Sequence, residues 1–295
     1  MGALLPGAVV VSRHANVRSS GFLTELVTCR LPGGEDLRLF CKYGNGANEA
    51  TGYGHRGGVS YEARVYRDLL QPIGVRTVPF YGTHLDPDTG TTWLVLGFQP
   101  GWCIDMSLGV GARWIGEFQR AATVRFGDRP PPWLKRYDRS YYAQWARRTK
   151  EFAERLGLGL RWLPPQCEGF ESVASDLLGL RPTVIHGELS TSFSTWRRWS
   201  PSTGSRRHSG PGEVDLASLT EGWSAVDLNE CLREYAAARW PDGAPQDFDA
   251  VFDAARLYLD FCWLGEEPSQ LQDPESRWFL DDLILRGGRL GLIQV

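Results

Sequence analysis

Apolar and polar positions change their rhythm near residue 98. Before it, short runs alternate apolar with polar and are broken by glycine and proline. After it, apolar residues recur every three or four positions over long stretches. The first rhythm predicts strands and the second predicts helices. Val9–Val11 and Gly21–Arg30 read as strands, and Leu31-Pro32-Gly33-Gly34-Glu35-Asp36 reads as a turn. The chain returns over Leu37–Tyr43, with Leu37, Leu39 and Cys41 on one face and Arg38, Phe40 and Lys42 on the other. Ser60 to Leu70 predicts a helix with Ser60 as its N-cap and Tyr61, Val65, Tyr66, Leu69 and Leu70 as its apolar stripe. Ile73–Tyr81 and Thr92–Leu96 predict two further strands, with the turn Asp86–Gly90 between them.

Beyond Phe98-Gln99-Pro100-Gly101-Trp102 the expected helices are Ala112–Val124, Ser140–Leu156, Phe170–Leu178, Ala225–Trp240, Asp247–Leu264 and Glu275–Leu285. Pro241-Asp242-Gly243 is a firm stop. Arg129-Pro130-Pro131-Pro132-Trp133 reads as a rigid spacer. Arg197–Gly212, with Arg206, Arg207 and His208, reads as a polar, basic, solvated loop.

Composition narrows the function more than the fold. At 295 residues, 42% hydrophobic and 23% charged, the chain has the make-up of a globular protein large enough for two lobes. A net charge of −3 gives no electrostatic case for nucleic acid or for an anionic membrane surface. No stretch approaches the ~20 apolar residues of a membrane span. The apolar N-terminus, Met1–Val11, is short, lacks a basic leader and reads as a strand, not a signal peptide. The 6 cysteines are scattered without a Cys-x-x-Cys pair, and the 5 histidines show no metal-ligand spacing. Free thiols in a reducing, cytoplasmic compartment are the expectation. The glycine-rich residues 44–46 and 53–59 contain no Gly-Lys-Ser/Thr and so form no P-loop.

One stretch carries candidate chemistry: Thr183-Val184-Ile185-His186-Gly187-Glu188-Leu189-Ser190-Thr191-Ser192-Phe193. A short apolar run ends in His-Gly-Glu, where Gly187 permits a sharp turn and Glu188 arrives at the strand end. It resembles the catalytic loop of the aminoglycoside phosphotransferase family, in a degenerate, actinobacterial-type form. The family pattern is His-Gly-Asp, four residues, then Asn. Here Glu188 stands at the Asp place and Phe193 at the Asn place. The added methylene moves the carboxylate by roughly 1.5 Å, and a phenyl ring offers magnesium no oxygen.

The resemblance implies an α+β, two-lobed, protein-kinase-like fold: a small antiparallel N-lobe sheet with one helix, and a mainly helical C-lobe. It implies an N-lobe over 1–98, a hinge at 99–102 and a C-lobe over 103–295. His186 and Glu188 fall on the catalytic places. Lys42 falls on the strand lysine that meets nucleotide phosphates, and Glu62 on the helix glutamate that pairs with it. ATP and magnesium are the implied cofactors. Asp215 fits two registers. In the first it is the metal ligand, with Asp227-Leu228-Asn229 as the later Asp-Leu-Ala place. In the second, Asp215-Leu216-Ala217 is itself that later motif and the metal place falls at Thr203. The function so implied is that of a pseudokinase or impaired kinase binding a nucleotide or a peptide or protein partner. The alternative is an active phosphotransferase using Glu188 as base on a hydroxyl of a small molecule or peptide. An inactive member would need a hetero-complex with an active kinase or biosynthetic enzyme.

Overall fold

A computed structural model describes residues 4–16, 22–45, 58–98, 108–127, 129–179, 181–187 and 208–293. They belong to two compact units, one on each side of the gap at 99–107. The expected hinge at 99–102 lies outside the described residues.

The first unit is built on a five-stranded sheet in the order β1-β2-β3-β5-β4, with every pairing antiparallel. Its strands are β1 (Val9–Ala15), β2 (Leu23–Arg30), β3 (Asp36–Asn45), β4 (Phe80–Leu85) and β5 (Thr91–Gly97). Alternation decides which side of β3 is which. Leu39 and Cys41 join Val27, Cys29 and Val95 in a buried cluster, and Lys42 points to the opposite face. A helical rod meets that second face. It runs as α1 (Val59–Val65), one π-turn (Tyr66–Leu70) and α2 (Gln71–Ile73).

Two expectations change here. The helix begins at Val59 after Gly58 with no side-chain cap, and Ser60 instead lies 3.0 Å from the Thr92 hydroxyl on β5. Ile73–Tyr81 is not one strand, because the helix continues to Ile73 and β4 opens only at Phe80. Within the rod, Gln71 N donates five residues back to Tyr66 O. Pro72 has no N–H to offer the Asp68 carbonyl, which favours the wider turn at this point.

The second unit is helical around a small three-stranded sheet. The helices are α3 (Leu108–Phe126), α4 (Arg139–Arg155), α5 (Leu163–Gly179), α6 (Glu213–Leu219), α7 (Ala225–Arg239), α8 (Phe248–Glu266) and α9 (Arg277–Arg289). The sheet runs β6 (Lys135–Arg136), β8 (His208–Pro211), β7 (Pro182–Ile185). The core is aromatic-rich: Trp145, Phe118, Phe170 and Phe261 are all at or below 1% exposure. Phe170 and Phe261 meet edge to face at 5.0 Å.

Helix α5 starts seven residues earlier than its apolar stripe predicts. Pro164 and Pro165 occupy its first turn, where a missing N–H costs no intrahelical bond. The segment expected as a solvated loop is corrected at its end. His208–Pro211 is a buried strand, antiparallel to β7 and parallel to β6. The His208 ring lies 4.3 Å from that of Tyr137, so aromatic packing outweighs local polarity. Arg206 and Arg207 lie outside the described residues.

Candidate functional site

In the first unit, β3 and α1 bring Lys42 and Glu62 together. Lys42 Nζ lies 2.5 Å from Glu62 Oε2, with the side chains 7% and 0% exposed. Twenty residues apart in sequence, they meet because Lys42 projects from the helix-facing side of the sheet and Glu62 sits on the buried side of the first helical turns. A buried pair of this kind is held by mutual neutralisation: either charge left alone there is costly. The sequence reading missed Phe22. Its ring centroid lies 4.6 Å from Lys42 Nζ, a cation–π distance. The signal was available in the alternation. Thr24 pairs directly with Lys42 across β2 and β3, and Phe22 lies two residues before Thr24.

In the second unit, β7 delivers His186 and Gly187. Gly187 has φ of 83°, a left-handed conformation that suits glycine, so the chain turns sharply where the sequence said it would. Asp215, in the first turn of α6 and 0% exposed, holds this turn. Its Oδ2 accepts from His186 N at 2.8 Å and its Oδ1 from Gly187 N at 2.8 Å. Gln119 on α3 donates to the same Oδ2 at 3.1 Å. A carboxylate has about four acceptor positions, and three are engaged by these donors. Asp227, the alternative Asp-Leu-Ala residue, takes part in the N-cap of α7. Its N–H donates to Ser224 Oγ at 3.2 Å, and the Ser224 hydroxyl donates back to its carboxylate at 2.7 Å. Glu188, Phe193 and Thr203 lie outside the described residues.

The polar groups behind Asp215 were not read from the sequence. Gln119, Tyr235 and Arg239 join Glu213 and Asp215 in one buried set, none more than 7% exposed. Burial works against the Arg239 charge, but Tyr235, Glu213 and Asp215 hold its pKa above the ordinary value. The missed signal is Gln119 itself, an amide on the same buried stripe of α3 as Ile115, Phe118 and Ala122.

A buried ammonium beside a glutamate suits nucleotide phosphates. Among the described residues, no group of three or more His, Cys, Asp or Glu is arranged to hold a metal ion.

No protein-family model matches the sequence, and no curated protein matches it. Solved structures do. The GDP complex of wild-type aminoglycoside 2'-phosphotransferase-IIIa superposes with a TM-score of 0.59 at 11% identity, covering 98% of this chain and 96% of that one. The fold is protein-kinase-like. Macrolide 2'-phosphotransferase MphH from Brachybacterium faecium, an apoenzyme, gives 0.54 at 13% identity and covers 100% of both chains. Spectinomycin phosphotransferase APH(9)-Ia, in complex with ADP and spectinomycin, gives 0.52 at 11% identity, covering 94% of this chain and 87% of that one. At these identities the likeness speaks for the α+β phosphotransferase fold and its element order.

Proposed function

We propose that this protein binds a nucleotide through Lys42 and Glu62 and transfers its phosphoryl group poorly or not at all. The observation that carries the nucleotide reading is the ion pair at 2.5 Å. In that role Glu62 fixes the lysine rotamer and Lys42 neutralises phosphate oxygens. Solved relatives in fold hold GDP and ADP, which supports the same ligand class.

The impaired transfer rests on the second unit. We assign Asp215 to the later Asp-Leu-Ala place, as the anchor of the His186–Gly187 turn. Its lone pairs serve backbone amides, which is the task of a loop anchor and leaves little for a metal ion. The metal place then falls at Thr203, and Phe193 supplies no oxygen at the other. Glu188 keeps a carboxylate at the base position, and the second reading is an active phosphotransferase on a small-molecule or peptide hydroxyl, with Glu188 as base and Asp215 as metal ligand. A protein that binds without transferring acts through a partner, and we assign it a hetero-complex with an active kinase or biosynthetic enzyme.

Isothermal titration calorimetry with a nucleoside triphosphate, with and without magnesium, tests the reading. Micromolar binding that does not depend on magnesium is the expected result, lost when Lys42→Met and Glu62→Gln are combined. The double substitution leaves no uncompensated buried charge. No binding at all would sink the nucleotide assignment. Magnesium-dependent binding abolished by Asp215→Ala, with the fold intact, would restore Asp215 as a metal ligand and favour the active enzyme.

A further inference from the structure

Helix α3 has no place in the proposed chemistry, yet it places a fully buried amide against the residue that anchors the turn. Gln119 is 0% exposed. Its Nε2 donates to Gly212 O at 3.1 Å and to Asp215 Oδ2 at 3.1 Å. Its Oε1 accepts from Tyr235 Oη at 2.7 Å and from an Arg239 guanidinium nitrogen at 3.0 Å. A primary amide offers two donors and one doubly accepting oxygen, so all four capacities are used. The orientation has no alternative. Flipped, the oxygen would face a carbonyl and a carboxylate, and the nitrogen would face arginine, which cannot accept. Arg239 also contacts Tyr235 Oη and lies 3.5 Å from Glu213. Space is as tightly set as polarity: a Cβ at Gly212 would collide with the Arg239 guanidinium and the Gln119 amide oxygen.

We infer that Gln119 is a positioning residue for the His186–Gly187 turn. Tyr235 and Arg239 on α7 fix its amide, the amide fixes the Asp215 carboxylate, and the carboxylate fixes the two backbone N–H groups that lead into Glu188. Its importance for function rests on the reading of this turn as a catalytic-loop remnant, but its physical test does not.

Two substitutions separate positioning from packing. Gln119→Met keeps the length and removes every hydrogen bond. Gln119→Glu keeps the acceptor for Arg239 and Tyr235 but sets an oxygen without a proton against Asp215 and Gly212 O. Protonation of that side chain restores one donor, so its defect is relieved by acid. The titratable groups bonded to the Gln119 side chain, and so facing the new carboxyl, are Asp215 from α6 and Tyr235 and Arg239 from α7; behind them Glu213 lies 3.5 Å from Arg239 and 3.9 Å from Arg181.

The readout is amide hydrogen exchange by NMR in the nucleotide-free protein, as protection factors corrected for the intrinsic pH dependence. Gln119→Met is expected to lower protection at His186 and Gly187 about tenfold relative to Val184 on β7, at every pH. Gln119→Glu is expected to do so at neutral pH and to recover toward pH 5. Unchanged protection at those two amides, or a loss spread evenly over the second unit, overturns the inference. Should Gln119→Met fail to fold, Gln119→Glu and Tyr235→Phe carry the test, the latter by removing one hydroxyl. Failure of nucleotide to bind would sink the proposed function and leave this result standing. Unchanged exchange would do the reverse.

Discussion

At the scale of single residues, burial makes each polar group accountable for its partners. Asp215 is the clearest case, because three donors from two different segments converge on one carboxylate. Asp215→Ala removes the acceptor of the buried His186 N–H, of the half-buried Gly187 N–H and of one Gln119 amide N–H. The expected cost is about 3 kcal/mol or more in urea denaturation, since each unsatisfied buried donor costs ~1–3 kcal/mol. Asp215→Asn retains an acceptor for one amide and is expected to lose less. A fully stable Asp215→Ala protein would mean that this carboxylate is not an anchor. Phe22 works on a smaller scale. Its ring lies over the ammonium that the proposed function gives to phosphates, so ring and ligand share one charge.

At the scale of elements, ionic side chains tie α8 and α9 together and reach α6. Arg256 joins Asp282 at 3.0 Å and donates to Ala217 O of α6 at 3.3 Å, and Arg286 joins both Asp282 and Asp253. Acids at its margin go the other way. Burial, opposed by Arg256 and aided by Asp282, pushes the Glu221 carboxyl up from 4.5 to about 7. Burial likewise holds Asp260 well above the usual carboxylate range. A carboxyl whose pKa is higher in the folded state binds its proton more tightly there. It therefore costs stability progressively as pH rises from 4.5 through about 7, and the cost is complete above that. Glu221→Gln removes the cost. The variant is expected to be more stable than the parent at pH 8 by on the order of 1–3 kcal/mol. Near pH 4.5 the difference should shrink to a minor part of that. Parallel denaturation curves at the two pH values check it, and a difference that does not change with pH would contradict it.

At the scale of the whole molecule, the two units divide the labour. The first holds the lysine–glutamate pair and the second the anchored turn. No helix among the described residues is long and apolar enough to cross a membrane. The proposed hetero-complex belongs to this scale, because it rests on reading the whole chain as one that binds a nucleotide without transferring its phosphoryl group. Native mass spectrometry of extract from cells producing the chain is expected to show it in a complex of higher mass with a different polypeptide. A single monomeric species would count against the partner and leave the nucleotide reading untouched.

The sequence by itself determined the rhythm of the elements and the identity of the crucial turn. Strand alternation set Lys42 opposite Leu39 and Cys41, and His186-Gly187 at the end of an apolar run announced the turn, because both signals are local along the chain. Helix ends were less legible: α5 begins at its prolines and α1 takes no cap from Ser60, since neighbouring elements decide both. Tertiary structure alone decided the rest. His208 looks like part of a basic loop until the Tyr137 ring lies against it. Spacing alone fits both registers of Asp215, and the register we propose draws its support from the backbone amides around the carboxylate. Gln119 lies 96 residues from Asp215, and no pattern along the chain links them. Hydrogen bonds between distant segments are satisfied by proximity in the folded core, and proximity of that kind leaves only a polar residue on an apolar stripe as its trace in the sequence.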